Sequence, residues 1–157
     1  MYRKQKNPKD VMYILENLRK EDIEECKIVH GADWKQKSFD AVMQTDFEVL
    51  VGVTKNGDIP VCMGGVWHLE KDDSKIATAW LLSTDEVQNH KISLLKELKK
   101  EFEKYDKKYD LTYNLIYEKN YMAKNWLKWL GFRFDNPKPE GFNVPEGFEF
   151  FYRLKNN

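Results

Sequence analysis

Ile76-Ala77-Thr78-Ala79-Trp80-Leu81-Leu82-Ser83-Thr84, followed by Asp85–Lys91 and Ile92–Tyr105, is the stretch that decides the fold. Its first nine residues, mixed β-branched, aromatic and aliphatic, read as a strand. Asp85–Lys91 reads as a loop without glycine, and Ile92–Tyr105 as a long amphipathic helix. A second strand, Leu111–Tyr117, follows, then a short aromatic-rich helix, Tyr121–Leu130, that ends on Gly131-Phe132. A strand–loop–helix–strand unit of this length implies two roughly parallel strands with the helix crossing between them. In such sheets ligands bind at the carboxyl ends of the strands, and a helix N-terminus aimed there suits an anion. The turn after Thr84 is therefore the place for a phosphate-bearing ligand.

Upstream, Met1–Asn7 is polar and basic and reads as a short edge strand before Pro8. Asp10 opens a helical pattern with Val11, Ile14, Leu15 and Leu18 on one face, ending at Asn17-Leu18-Arg19. Asp22–Val29 resumes with Ile23, Cys26 and Val29 apolar, and Gly31 supplies a helix stop. Ser38 is placed to cap a short helix around Phe39–Gln44. Phe47–Lys55 alternates as a half-buried strand, and Asn56-Gly57-Asp58 signals a tight hairpin. Ile59–Leu69 returns, with Gly64-Gly65 marking a bulge or a close backbone approach. Lys71-Asp72-Asp73-Ser74 turns into Ile76. The tail gathers Pro137, Pro139, Gly141, Pro145 and Gly147 in one loop before a last strand, Phe148–Leu154.

A chain of 157 residues is most simply one domain, 1–157. Net charge is zero with 33% charged residues, so bulk electrostatics gives no case for nucleic acid. At 14% aromatic the chain can bury a core, which argues against disorder. No apolar run approaches the ~20 residues of a membrane helix, and no signal-peptide core follows Met1, so a soluble intracellular protein is expected. Cys26 and Cys62 read as two buried thiols, not a disulfide. His30, His68 and His90 sit on different elements; His68 and Asp72 can approach across a strand end, but no metal-ligand spacing is present and no metal site is expected. Lys96-Glu97, Lys99-Lys100-Glu101 and Glu103-Lys104 read as a solvated helix face with salt bridges, since acids interrupt every basic cluster.

The element order, with Ala123-Lys124-Asn125-Trp126-Leu127-Lys128-Trp129-Leu130-Gly131-Phe132 closing it, resembles the GCN5-related N-acetyltransferase (GNAT) fold. Those enzymes commonly place Asn, Ala, an aromatic residue and Gly-Phe at this spacing. A closer likeness is to the internal virion protein A-like family of tailed phages, GNAT-like in fold. It is carried by Asp10-Val11, Asn17-Leu18-Arg19, Asp22 with Glu25, Ala79–Thr84 and Trp126–Phe132, and so spans most of the chain from Asp10 to Phe132. The resemblance implies an α/β (α+β) fold with a mixed, mostly antiparallel GNAT-like sheet flanked by helices.

In the resembled enzymes acetyl-CoA is held by Gln or Arg, two residues, Gly, one residue, then Gly or Ala. The corresponding run is Gln88-Asn89-His90-Lys91-Ile92-Ser93, with Lys91 where the first glycine belongs. If the cleft is kept, Thr84, Gln88, Lys91 and Ser93 are the cofactor-binding residues. The general-acid Tyr of those enzymes aligns with Leu127, Tyr121 lies too early, and the strand Ile76–Thr84 carries no carboxylate, Asp85 and Glu86 coming only after it. The resemblance therefore implies a non-enzymatic virion-associated or morphogenesis protein, located in the virion or host cytoplasm. It has no catalytic residue and no cofactor, and binds other phage structural proteins, with a symmetric homo-oligomer as one arrangement. Trp129 and Phe142 are its candidate partner-binding rings, although roofing of the sheet explains such aromatics equally well. The alternative is an acetyl-CoA-dependent N-acetyltransferase acting on an amine, with Glu86, Asp85 or a water chain as base. A third reading keeps the cleft as a small-molecule or acyl-carrier binder.

Overall fold

The computed structural model describes residues 1–68 and 74–155. The expected strand end at Leu69 and most of the turn 71–74 lie outside the described residues, as does Asp72. Six strands hydrogen-bond in sequence order, β1 (Tyr2–Gln5), β2 (Glu48–Thr54), β3 (Gly57–Trp67), β4 (Ile76–Ser83), β5 (Leu111–Tyr117) and β6 (Phe148–Leu154). The β1–β2, β2–β3 and β5–β6 ladders are antiparallel and β4–β5 is parallel. With helices α1 (Pro8–Glu16), α2 (Lys20–His30), α3 (Trp34–Gln44), α4 (Lys91–Tyr105) and α5 (Tyr121–Trp129), this is the mixed, mostly antiparallel α/β architecture expected from the sequence.

The chain gathers into two units, Met1–Gly65 with Trp80–Leu94, and Val66–Ala79 with Leu95–Asn157. In the first, α1 starts at Pro8, before the expected Asp10. Asn7 caps it by accepting from the Asp10 amide at 2.9 Å, and Pro8 tolerates the first helical position because no amide is needed there. Val11, Ile14, Leu15 and Leu18 pack with Cys26, Val42, Phe47, Val49, Val51 and Met63 into one core. Ser38 is not a cap. Helix α3 begins a turn earlier, at Trp34, whose ring packs on this core, and Ser38 lies buried within the helix. In the hairpin Thr54 pairs with Gly57, and the positive φ falls on Gly57 (109°) alone, so Asn56 keeps an ordinary backbone. The register shift is at Val61, not at Gly64-Gly65: Leu50 faces Cys62 while Val51 faces Pro60. Gly64 is instead a close approach, where a Cβ would stand 2.6 Å from the Trp80 carbonyl oxygen.

In the second unit Ala79, Phe102, Ile116, Leu130, Phe132 and Phe151 form the core, with Phe132 edge-on to both Phe102 (5.0 Å) and Phe151 (5.2 Å). Trp126 is only half-buried, and no α5 residue is fully buried. Arg153 pairs with Asp106 at 2.7 Å beneath that core. The lysines of α4 pair three residues back, Lys100 with Glu97 and Lys104 with Glu101, on an exposed face.

Candidate functional site

The end of β4 is built before it is decorated. Ser83 and Thr84 are buried, and every polar group of Ser83 is engaged. Its amide and hydroxyl both donate to Asp22 Oδ2 at 3.0 Å, and its carbonyl accepts from the Arg19 amide at 3.0 Å. Asp22 is also held by Arg19 Nε and Nη2, at 3.3 and 3.2 Å. Burial pushes the Asp22 carboxyl above the ordinary carboxylate range, while the Arg19 guanidinium and the Ser83 donors pull against it. The Thr84 amide and hydroxyl go to the carbonyl of Val61, the residue freed by the register shift.

From Thr84 the chain does not loop loosely, as expected, but winds into a 3₁₀ turn, Asp85–Asn89, and then directly into α4. The Val87 amide donates to Thr84 O, the His90 amide to Val87 O and the Leu94 amide to His90 O. The last of these is the first i→i−4 bond of α4, so helix geometry leaves the amides of Lys91, Ile92 and Ser93 without acceptors further back in the helix. All three residues are exposed, and no acidic residue occupies this first turn. An exposed lysine at the positive end of a 15-residue helix works against the macrodipole unless an anion sits there. No residue other than glycine has a positive φ among the described residues, so Lys91 does not need the conformational freedom that a glycine would bring.

Gln88 is exposed on the 3₁₀ turn, whereas Thr84 is buried with its amide already committed. The structure thus brings Gln88, Lys91 and Ser93 together at one helix start and sets Thr84 beneath them as a structural anchor. Glu86 Oε1 stands 3.4 Å from His90 Nε2. Glu86 also lines an open depression of about 570 Å³ with Lys9, Asp10, Tyr13, Asp58 and Pro60, in which acids outnumber bases. Asp10 there is held by Lys4 (2.9 Å) and by Asn7 Nδ2 (2.7 Å), and Asp58 by the Tyr2 hydroxyl (2.9 Å).

The pyrophosphate of a nucleotide cofactor fits the exposed amides, hydroxyl and ammonium of Lys91–Ser93. Leu127 packs on the second core and offers no proton, and Tyr121 is exposed on the first turn of α5. Trp129 and Phe142 are both exposed, at 59% and 43%, but they do not form one patch. Phe142 packs edge-on to Tyr113 and tilted against Phe150, whereas α5 packs against the cluster holding Phe151, and neighbouring strand residues face opposite sides of a sheet. His68 Nε2 donates to the Ser74 carbonyl at 2.9 Å, and among the described residues no three His, Cys, Asp or Glu side chains gather to hold a metal ion. Among the described residues no helix is long and apolar enough to cross a membrane.

No protein-family model matches the sequence, and no curated protein matches it significantly. Solved structures do match over nearly the whole chain. A GCN5-related N-acetyltransferase from Kribbella flavida superposes with a TM-score of 0.68 at 15% identity, over 98% of this chain and 96% of that one. A GNAT-family acetyltransferase from Staphylococcus aureus gives 0.66 at 16%, over 99% of both. The yncA protein of Salmonella typhimurium, solved with its cofactor acetyl-CoA, gives 0.61 at 16%, over 100% of this chain and 95% of that one. At these identities the likeness establishes a GNAT-like fold.

Proposed function

We propose that this chain binds acetyl-CoA at the β4–α4 junction and transfers the acetyl group to an amine. The observation that carries the reading is the first turn of α4, an exposed lysine, a serine and three helix-start amides directly after the strand end. The shared fold with acetyltransferases, one of them solved with acetyl-CoA, supports it. Acetyl-CoA supplies an activated thioester carbonyl. Lys91 and Ser93 would hold its phosphates, and Glu86, beside His90, would accept the proton that the acceptor ammonium loses. The acid-rich depression that Glu86 lines suits a cationic acceptor.

Thermal unfolding with and without acetyl-CoA tests the binding step. Saturation at 100 times the dissociation constant adds about 2.7 kcal/mol if only the folded state binds. No shift at millimolar cofactor removes the proposal.

A second reading, a GNAT-like scaffold without chemistry that binds other virion proteins, is favoured by Leu127 and by the exposed Trp129 ring. It requires that acetyl transfer be absent and that Trp129→Ala weaken assembly with a structural partner while leaving the melting temperature unchanged.

A further inference from the structure

Arg19 and Asp22, at the start of α2, are both buried, and together they take up all three polar groups of Ser83. Replacing a buried ion pair by apolar residues of similar volume is often neutral or stabilising. Here the carboxylate also accepts from the buried Ser83 amide and hydroxyl, so an apolar pair would strand those two donors. What an apolar pair lacks is direction: the Asp22 carboxylate takes two donors from Arg19 and two from Ser83, which fixes the strand end in position and rotation. The next residue, Thr84, is held to Val61 and begins a further series of bonds, Val87 to Thr84, His90 to Val87, Leu94 to His90.

We propose that Arg19 and Asp22 are positioning residues: by gripping Ser83 they fix the end of β4 and, through Thr84, Val87 and His90, the first turn of α4 that presents Lys91 and Ser93 to a phosphate-bearing ligand. The last clause rests on the acetyl-CoA reading of that turn; the grip itself is measurable without any ligand.

The experiment compares wild type, Ser83→Ala and the double variant Arg19→Met/Asp22→Leu by thermal unfolding, amide hydrogen exchange and acetyl-CoA calorimetry. The double variant is expected to keep its fold but to melt lower, because the buried Ser83 amide and hydroxyl lose their acceptor. Exchange at Val87, His90 and Leu94 rises about tenfold while Val49 is unchanged, and acetyl-CoA affinity drops about tenfold, the scale of one lost hydrogen bond to a charge. Ser83→Ala, which removes only the hydroxyl bond, shows a smaller change in the same direction. Unchanged exchange at the three amides in a folded variant overturns the proposal whatever the ligand does. Faster exchange with unchanged affinity overturns the positioning role. If the double variant fails to fold, Ser83→Ala decides by the same two criteria. Wild type that binds no acetyl-CoA removes the functional reading and the ligand clause with it, leaving the exchange data to judge the grip.

Discussion

The imidazole of His90 occupies the space that a side chain on Gly52 would need. A Cβ at Gly52 comes 2.5 Å from His90 Nε2, 2.9 Å from its Cε1 and 2.8 Å from Val61 Cγ2. A glycine in the middle of β2 is thus there for a close approach, and the approaching group is the residue that opens α4. Gly52→Ala is expected to overpack this contact and destabilise the protein by about 1–3 kcal/mol. His90→Ala should relieve most of that cost, so urea unfolding of both singles and the double should be clearly non-additive. Additive effects would show that Val61, not His90, is the obstacle.

The Asn114 carboxamide makes a comparable fixed contact in the second unit. Its Nδ2 donates to Ala79 O at 2.7 Å and its Oδ1 accepts from the Leu115 amide at 2.7 Å. The parallel ladder of β4 and β5 runs over Ile76–Thr78 with Leu111–Tyr113, so Asn114 serves a carbonyl one residue past its end. Asn114→Leu leaves that carbonyl without its donor and should cost about 1–3 kcal/mol in chemical denaturation. Asn114→Asp keeps the shape but replaces the donor with an acceptor, and should cost no less. A neutral Asn114→Leu would mean that water or another donor serves Ala79 equally well.

The two thiols set a limit at alkaline pH. Burial pushes Cys62 up to about 12 and Cys26 up to about 11, with Asp22 adding to both and the Ser38 hydroxyl opposing on Cys26. The ordinary thiol value is 9.0, so the unfolded chain releases these protons first. Above that value the folded state binds more protons than the unfolded one, and stability falls as pH rises. The contribution is complete below pH 9.0 and is lost as pH climbs through the folded values, at up to about 1.4 kcal/mol per pH unit per thiol. Denaturation at about pH 8 and about pH 10.5 should show a steeper loss in wild type than in Cys26→Ala/Cys62→Ala. Equal slopes would place both thiols in contact with solvent.

The parts of this fold that were legible in the sequence are those whose partners are near in the chain. The alternation around Val49 and Val51 and the stripe Val11, Ile14, Leu15 gave strand and helix because each residue's neighbours repeat at a fixed spacing. Ser38 misled because a serine before an apolar pattern is also what an N-cap looks like; only the packing of Trp34 moves the helix start back a turn. The Asp22–Ser83 bonds join residues 61 apart, and no local pattern announces such a pair. A charged residue on the buried side of α2 was the available signal, and it was read only as part of a resemblance. The gap between Trp129 and Phe142 was invisible for the same reason, since strand parity, not sequence distance, puts their neighbours on opposite sides.

Lys91 separates two accounts of the helix start. If the backbone there needed a glycine, Lys91→Gly would strengthen acetyl-CoA binding by clearing the approach. The observed start of α4 has no positive φ, so glycine brings no conformational benefit and lowers helix propensity by about 1 kcal/mol. It also removes the ammonium, and a hydrogen bond to a charged group is worth about 1.5–3 kcal/mol. Affinity is therefore expected to fall about tenfold in Lys91→Gly. It should fall further in Lys91→Glu, where the new carboxylate favours the helix dipole but repels the phosphates. Calorimetry at low and moderate salt checks the order, and the wild-type advantage should shrink as salt screens the exposed charge. Tighter binding by Lys91→Gly would instead show that the lysine stem obstructs the site, and would return the argument to a helix start that has lost its ligand.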